Sequence, residues 1–115
     1  MQVFRPALQQ GERKLNVIRL YLPLRDNSGA AFDAKMFKDV EKLLSERFGG
    51  VTAHMQAPAN GLWREGETTH ADEIVIFEVI LKSADRAWWQ AYRKELEAQF
   101  RQKSVMVFLQ EIEVL

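Results

Sequence analysis

Residues 73–81, EIVIFEVIL, form the stretch that decides the fold. It is an almost unbroken run of Ile, Val and Phe, which is typical of a central β-strand that is at least partly buried on both faces. Side chains alternate between the two faces of a strand. One face is therefore expected to carry Val75, Phe77, Val79 and Leu81, and the other Ile74, Ile76, Glu78 and Ile80.

Three further strands are predicted around this one, each from its alternating pattern. Residues 15–24, LNVIRLYLPL, place Ile18, Leu20 and Leu22 opposite Val17, Arg19 and Tyr21. Residues 51–57, VTAHMQA, place Val51, Ala53 and Met55 opposite Thr52, His54 and Gln56. In residues 104–115, SVMVFLQEIEVL, two sets compete for the buried face: Met106, Phe108 and Ile112, or Val105, Val107 and Leu109. The irregular, polar stretch 58–72 is expected to be a long loop.

Two amphipathic helices are predicted between the strands. Residues 33–48 have apolar side chains at three- and four-residue steps, and the helix is expected to end at Gly49-Gly50. Ser83 is expected to cap the second helix, with Asp85 in its acidic first turn. Trp88 begins the apolar stripe Trp88, Tyr92, Leu96 and Phe100. Trp89 is off that stripe, so we expect it at a surface or against a partner.

The order strand, helix, strand, strand, helix, strand leaves few ways to close a sheet with right-handed crossovers. We expect one α+β domain over residues 1–115, with residues 1–13 as an N-terminal arm. The pattern resembles the ferredoxin-like βαββαβ fold, a four-stranded antiparallel sheet with two helices on one face. The segments 48–52, FGGVT, and 59–64, ANGLWR, also look like uncharacterised small bacterial α/β proteins.

Composition narrows the function classes. The sequence has 16 basic and 16 acidic residues, so the positive field that attracts nucleic acid is missing and no nucleic-acid partner is predicted. The absence of cysteine excludes thiolate chemistry. The start of the chain does not look like a signal peptide and no apolar run is long enough to cross a membrane, which indicates a cytoplasmic protein with no membrane partner.

The sheet face away from the helices is too apolar to remain in water, because Ile74, Ile76 and Ile80 lie on it. The simplest cover is a second copy of the chain. This arrangement resembles the dimeric α+β barrel families, whose ferredoxin-like subunits pack sheet to sheet. We therefore expect a homodimer through this face, with a small-molecule ligand as an alternative or additional partner.

The same face carries the polar residues on which chemistry is expected to depend. If the chain is an enzyme, His54 is the candidate base, Arg19 the anion or oxyanion stabiliser and Tyr21 the hydrogen-bond donor. Glu78 is the expected carboxylate partner of Arg19. The plainer interpretation is that these groups satisfy one another at a dimer interface.

Further candidate ligand-binding residues are Gln56, on the same face, and Trp63 and Arg64 in the long loop. His54 and His70 are the two histidines, and their spacing from the acidic residues of 65–72 matches no metal-ligand motif. No metal and no cofactor are predicted.

Two functions from different classes follow. The favoured one is a non-catalytic domain that dimerises through its sheet and binds a small molecule or a protein. The alternative is a cofactor-independent enzyme of the dimeric-barrel type, an isomerase, lyase or oxygenase acting on a small, partly apolar substrate. RNA recognition, which uses the same order of elements, needs aromatic residues on the central strands, and Tyr21 is the single one predicted there.

Overall fold

The computed structural model describes residues 13–56 and 73–115. Their elements follow the predicted order: β1 (Lys14–Pro23), α1 (Ala34–Phe48), β2 (Thr52–Gln56), β3 (Ile74–Leu81), α2 (Arg86–Gln99) and β4 (Met106–Glu113). The strands form one sheet in the order β2-β3-β1-β4, and each neighbouring pair is antiparallel. The prediction of a ferredoxin-like α+β fold is confirmed.

The register of the sheet determines which side chains share a face. Ile18 of β1 lies opposite Val79 of β3 and Leu109 of β4, and Leu20 lies opposite Phe77 and Val107. Val107 and Leu109 therefore point to the same side as the core residues of β1. This settles the phase of β4, which the sequence left open.

The hydrophobic core lies between this side of the sheet and both helices. From the helices it contains Val40, Leu44, Trp89, Tyr92 and Leu96, and the strands contribute Ile18, Leu20, Leu22, Val75, Phe77 and Val79. Phe100 and Val105, which flank α2 and β4, complete it. The helix-facing set predicted for β1 and β3 is confirmed.

Trp89 corrects a prediction, because its side chain is 4% exposed and belongs to the core. The buried stripe of α2 runs through Trp89, Tyr92, Leu96 and Phe100, with steps of three, four and four residues, which follow the 3.6-residue period more closely than steps of four alone. Trp88 lies at the margin of this stripe and is partly exposed, stacked on the Tyr92 ring at 5.1 Å.

The helix ends show which residues cap them. Asp33 and Asp85 are the N-caps, and the Asp85 carboxylate accepts a hydrogen bond from the backbone N–H of Trp88. The prediction of Ser83 as the cap was wrong, since α2 begins at Arg86 and the cap is the residue directly before it. Gly49 ends α1 with φ of 80°, as expected of a residue without Cβ. In the described ranges neither helix has the length and apolarity needed to span a membrane.

The edge strand β2 is less covered than predicted. Ala53 and Met55 lie opposite Phe77 and Val75 and so point to the helix side, yet Ala53 is exposed and the Met55 side chain is 73% exposed. β2 is an edge strand, and the helices do not cover either residue there. The helix-facing prediction for these two positions is therefore correct in direction and wrong in burial.

Candidate functional site

The face of the sheet away from the helices is called the second face. Two rows of side chains cross it in the strand order β2-β3-β1-β4. The first row consists of Thr52, Glu78, Arg19 and Phe108, and the second of His54, Ile76, Tyr21 and Met106. The register thus brings the predicted residues of three separate strands onto one surface.

Arg19 is the centre of a polar network on the second face. Its Nε donates a hydrogen bond to a Glu78 carboxylate oxygen at 2.9 Å, and its Nη1 donates to the Gln110 side-chain oxygen at 2.7 Å. The Arg19 and Glu78 side chains are 31% and 25% exposed, so the pair is partly shielded from water while remaining accessible. Two partners hold the guanidinium in one orientation, which presents its remaining N–H donors in a fixed direction.

An aromatic pair lies beside this network. The Tyr21 and Phe108 rings meet edge to face, with centroids 5.2 Å apart and planes at 73°. Phe108 is 43% exposed and its neighbour Met106 is 51% exposed. An exposed aromatic edge next to a charge pair is suited to a ligand that has both a ring and a charged group.

His54 is on the second face but does not contact the other two predicted catalytic residues. It lies opposite Ile76, which in turn lies opposite Tyr21, so His54 and Tyr21 are two strands apart. Neighbouring strands are about 4.8 Å apart, which places His54 roughly 10 Å from Tyr21 across the sheet. A ligand that touches both would have to span β3.

Of the other candidate ligand-binding residues, Gln56 lies within the described residues and the loop residues do not. Gln56 pairs with Ile74 at the end of β2. Trp63, Arg64 and His70 lie outside the described residues. Gln110 and Phe108 were not proposed as site residues, because the sequence pattern left the two faces of β4 unresolved.

The second face is partly buried already within one chain. Leu15, Val17 and Ile76 are 3–6% exposed, yet they do not belong to the core on the helix side. The exposed apolar surface of this face is concentrated instead on β4, at Met106 and Phe108. The apolar surface that a partner could cover therefore lies mainly on β4.

Two cavities lie on the helix side of the sheet. A cleft of about 580 Å³ between α1 and α2 is lined by Arg47, Trp88, Tyr92 and Glu95, among others. The Arg47 guanidinium lies 4.3 Å from the centre of the Trp88 ring. Burial, together with the nearby Glu95 charge, raises the pKa of Tyr92 to about 12.

The second cavity, of about 200 Å³, lies between α2 and the sheet. Neither cavity is lined by His54, Arg19 or Tyr21. Within residues 13–56 and 73–115, no group of three or more His, Asp or Glu side chains is placed to hold a metal ion. On the second face, the described side chains range from the buried Leu15, Val17 and Ile76 to the exposed Met106 and Phe108.

Comparison with known proteins gives matches among solved structures. No protein-family model matches the chain, and no curated protein matches it significantly. The structure is similar to that of a phage SAM lyase in complex with S-methyl-5'-thioadenosine, with a TM-score of 0.55 and 17% sequence identity over 96% of this chain and 97% of the lyase chain. A phage SAM lyase in the apo state gives a TM-score of 0.54 and 16% identity over 93% of this chain and 87% of the other.

These matches cover almost the whole of both chains, so the common architecture is not confined to one motif. At this level of identity the likeness shows the fold alone, and folds of this type support many functions. The chain therefore has an α+β fold of the ferredoxin-like kind, similar to that of an enzyme with a small-molecule ligand.

Proposed function

We propose that this protein binds an adenosyl sulfonium compound, such as S-adenosylmethionine, on its second face and cleaves it as a lyase. The observation that carries the proposal is the Arg19–Glu78 pair beside the Tyr21–Phe108 rings. The likeness of the fold to a SAM lyase supports the choice of substrate. The proposal makes the enzyme alternative from the sequence more specific.

Each part of this site matches one part of the substrate. The Glu78 carboxylate and the exposed Phe108 ring favour a positively charged sulfur, the carboxylate by charge and the ring by cation–π attraction. The remaining N–H groups of Arg19 are donors for the substrate carboxylate. The Phe108 ring also offers a surface on which a purine base can stack.

The chemistry needs neither a protein nucleophile nor a redox partner. Formation of S-methyl-5'-thioadenosine from S-adenosylmethionine breaks the bond between sulfur and the amino-acid side chain, and the electron pair of that bond neutralises the sulfonium. The released carbon forms its new bond within the same fragment, either to the fragment's own carboxylate oxygen or, after loss of a proton, to the adjacent carbon. No water or oxidant is consumed in either case.

The second face contributes to this reaction through its polarity and its donors. When the carboxylate attacks, two opposite charges cancel, and a surface with little water favours that change. Arg19 orients the carboxylate and Tyr21 donates to it, which places the reacting atoms together. His54 is separated from Tyr21 by the buried Ile76, so the proposal favours the route in which the carboxylate attacks and no protein base is needed.

A second copy of the chain is proposed to close the site. The exposed apolar side chains of the second face include Met106 and Phe108. Two-fold pairing of this face would bury them and enclose the Arg19 network. Light scattering tests this directly: we expect the mass of a dimer for the wild type and of a monomer for Phe108→Asp, and a monomeric wild type would contradict the pairing.

The proposed activity is tested by two separate measurements. Calorimetry with S-methyl-5'-thioadenosine measures binding, and chromatography of S-adenosylmethionine after incubation with the protein measures cleavage. Glu78→Gln and Arg19→Gln are each expected to lower the cleavage rate by about tenfold or more, since each removes a charge-assisted hydrogen bond. Lys38→Gln, on an exposed position of α1, is the control and is expected to leave the rate unchanged.

The outcomes distinguish the two functions. Binding without cleavage would contradict the lyase and support the non-catalytic small-molecule domain. That second function is favoured by one observation, namely that His54 lies two strands away from Tyr21, so the three predicted catalytic residues do not form one cluster. Absence of both binding and cleavage, in a protein shown to be folded, would contradict the sulfonium proposal as a whole.

A further inference from the structure

We propose that the 580 Å³ cleft between α1 and α2, called the interhelical cleft, binds a free zwitterionic peptide of about three residues with apolar side chains. Opposite charges lie at its two ends, with aromatic and aliphatic side chains between them. The cleft is on the helix side of the sheet, so binding there does not depend on the lyase activity proposed for the second face.

The two helices run in opposite directions, which decides which residues share an end of the cleft. The Phe48 ring, at the end of α1, lies 5.1 Å from the Trp88 ring near the start of α2. The Phe37 ring, near the start of α1, lies 5.3 Å from the ring of Phe100, directly after α2. The cleft therefore runs from the C-terminus of α1 and the N-terminus of α2 at one end to the reverse pair at the other.

Arg47 is the basic group at the first of these ends. Its guanidinium lies 4.3 Å from the centre of the Trp88 ring and 5.6 Å from that of the Phe48 ring. Stacking on a ring uses the flat face of the guanidinium and leaves the N–H donors at its edge free. Within residues 13–56 and 73–115, Arg47 forms no ion pair. Its edge is therefore available to a carboxylate, which matches it in shape and charge.

Glu95 is the acidic group at the opposite end. Its charge acts on the neighbouring Tyr92 and helps to raise the pKa of that phenol. Asp39 lines the same end from α1, but its carboxylate is already paired with Lys35 at 3.0 Å. The described part of the chain gives Glu95 no such partner. An ammonium group of a ligand would supply one.

The separation of Arg47 and Glu95 determines how long the ligand is. Trp88 and Glu95 are seven residues apart on α2, which places them on nearly the same face of the helix and about 10.5 Å apart along its axis. Since Arg47 is held over Trp88, its charge is separated from Glu95 by a similar distance. An extended peptide rises about 3.3–3.6 Å per residue, so three residues span about 10–11 Å. In a single amino acid the two charges are too close together to reach both ends.

The middle of the cleft offers a surface for apolar side chains. Leu43 is 37% exposed there, and the half-buried Trp88 ring is stacked on Tyr92. The charged atoms of Lys42 and Glu46 are 4.0 Å apart and largely offset each other. The volume of about 580 Å³ lies within the about 300–1,000 Å³ that is usual for ligand pockets. Charged ends around an apolar middle match a short peptide, whereas an inorganic ion or a hydrocarbon would match one part alone.

The test follows the indole N–H signal of Trp88 in a proton–nitrogen correlation spectrum. The chain has three tryptophans, and Trp88→Phe identifies the signal. Titration with the tripeptide Ala-Leu-Ala is expected to shift this signal in a saturable way, because the peptide lies against the ring. Three matched probes each lack one feature: the N-acetylated tripeptide lacks the ammonium, the tripeptide amide lacks the carboxylate, and free leucine lacks the length. Each probe is expected to bind more weakly than Ala-Leu-Ala by about threefold or more.

Two variants test which end of the peptide each residue binds. Arg47→Gln and Glu95→Gln are each expected to weaken the binding of Ala-Leu-Ala by about threefold or more, since each removes one charge pair. Arg47→Gln should not weaken the binding of the amide further, and Glu95→Gln should not weaken that of the acetylated peptide, because the group paired with each residue is already missing. Glu41→Gln and Arg86→Gln, at exposed positions outside the cleft, are the controls and should leave the affinity unchanged.

The opposite results would overturn the inference. No saturable shift with Ala-Leu-Ala would mean that the cleft does not bind such a peptide. Equal affinity for the acetylated peptide or for the amide would mean that the charged ends are not recognised, and equal affinity for leucine would contradict the length. These comparisons use the wild type, so they hold even if a variant does not fold. Unchanged affinity in the folded Arg47 or Glu95 variant would show that the residue does not contact the peptide.

Discussion

Tyr92 makes the stability of this protein depend on pH in a calculable way. Its side chain is buried, and burial raises its pKa from 10.0 to about 12. In the unfolded chain the phenol returns to its ordinary pKa of about 10. Above about pH 10 the unfolded state therefore loses a proton that the folded state retains, and unfolding becomes easier.

The magnitude follows from the two pKa values. Stability linked to Tyr92 is fully present below about pH 10 and is lost as the pH rises towards 12, at about 1.4 kcal/mol per pH unit. At about pH 11 the ionisation of Tyr92 should make the free energy of unfolding about 1.4 kcal/mol lower than it is at neutral pH. This is a measurable fraction of the stability of a domain of this size.

The assay is urea unfolding at about pH 8 and about pH 11, for the wild type and for Tyr92→Phe. Phenylalanine cannot ionise, so the variant should lack this part of the pH dependence, and the other alkaline titrations cancel in the comparison. The chain has two tyrosines, so an absorbance titration of the folded protein should also show one of them ionising well above pH 10. The reasoning is refuted if the wild type and Tyr92→Phe lose stability equally between the two pH values.

Two further predictions compare neighbouring positions. Asp85→Ala should lower the free energy of unfolding by about 1 kcal/mol, because the Asp85 carboxylate accepts a hydrogen bond from the Trp88 N–H. Ser83→Ala should have little effect. Urea unfolding measures both variants, and equal denaturation midpoints would contradict the assignment of the cap. Leu44→Ala should lower the free energy of unfolding by about 2–5 kcal/mol, since the Leu44 side chain is 0% exposed. Leu43 is 37% exposed, so Leu43→Ala should lower it by well under half of that amount. Thermal unfolding measures both variants, and a similar loss of stability at the two positions would contradict the packing of α1.

The part of the candidate site that depends on alternation along single strands could be predicted from the sequence. Alternation along β1 and β3 is enough to place Arg19, Tyr21 and Glu78 on one face, because a strand has only two faces. It does not give the distance between strands or the pairing of individual residues. Gln110 and Phe108 therefore became part of the site only when the β1–β4 register was known.

The misplacement of Trp89 has a similar origin. Trp88 and Trp89 are adjacent, and steps of four from Trp88 reach the buried Tyr92, Leu96 and Phe100 as well as the true stripe does. Adjacent residues of a helix differ by 100° in direction around its axis, so only one of the two tryptophans can face the core fully, and the position of the sheet beneath α2 selects Trp89.

The sequence by itself determined the order of the elements, the split β-α-β architecture and the helix-facing set of β1 and β3. It could do so because these features depend on local periodicity and on the few topologies that such an order permits. The tertiary structure alone decided the phase of β4, the exposure of the β2 edge, the burial of Trp89 and the Arg19–Glu78–Gln110 network. These features depend on contacts between residues far apart in the chain, for which hydrogen-bond partners and burial are set by register and by packing.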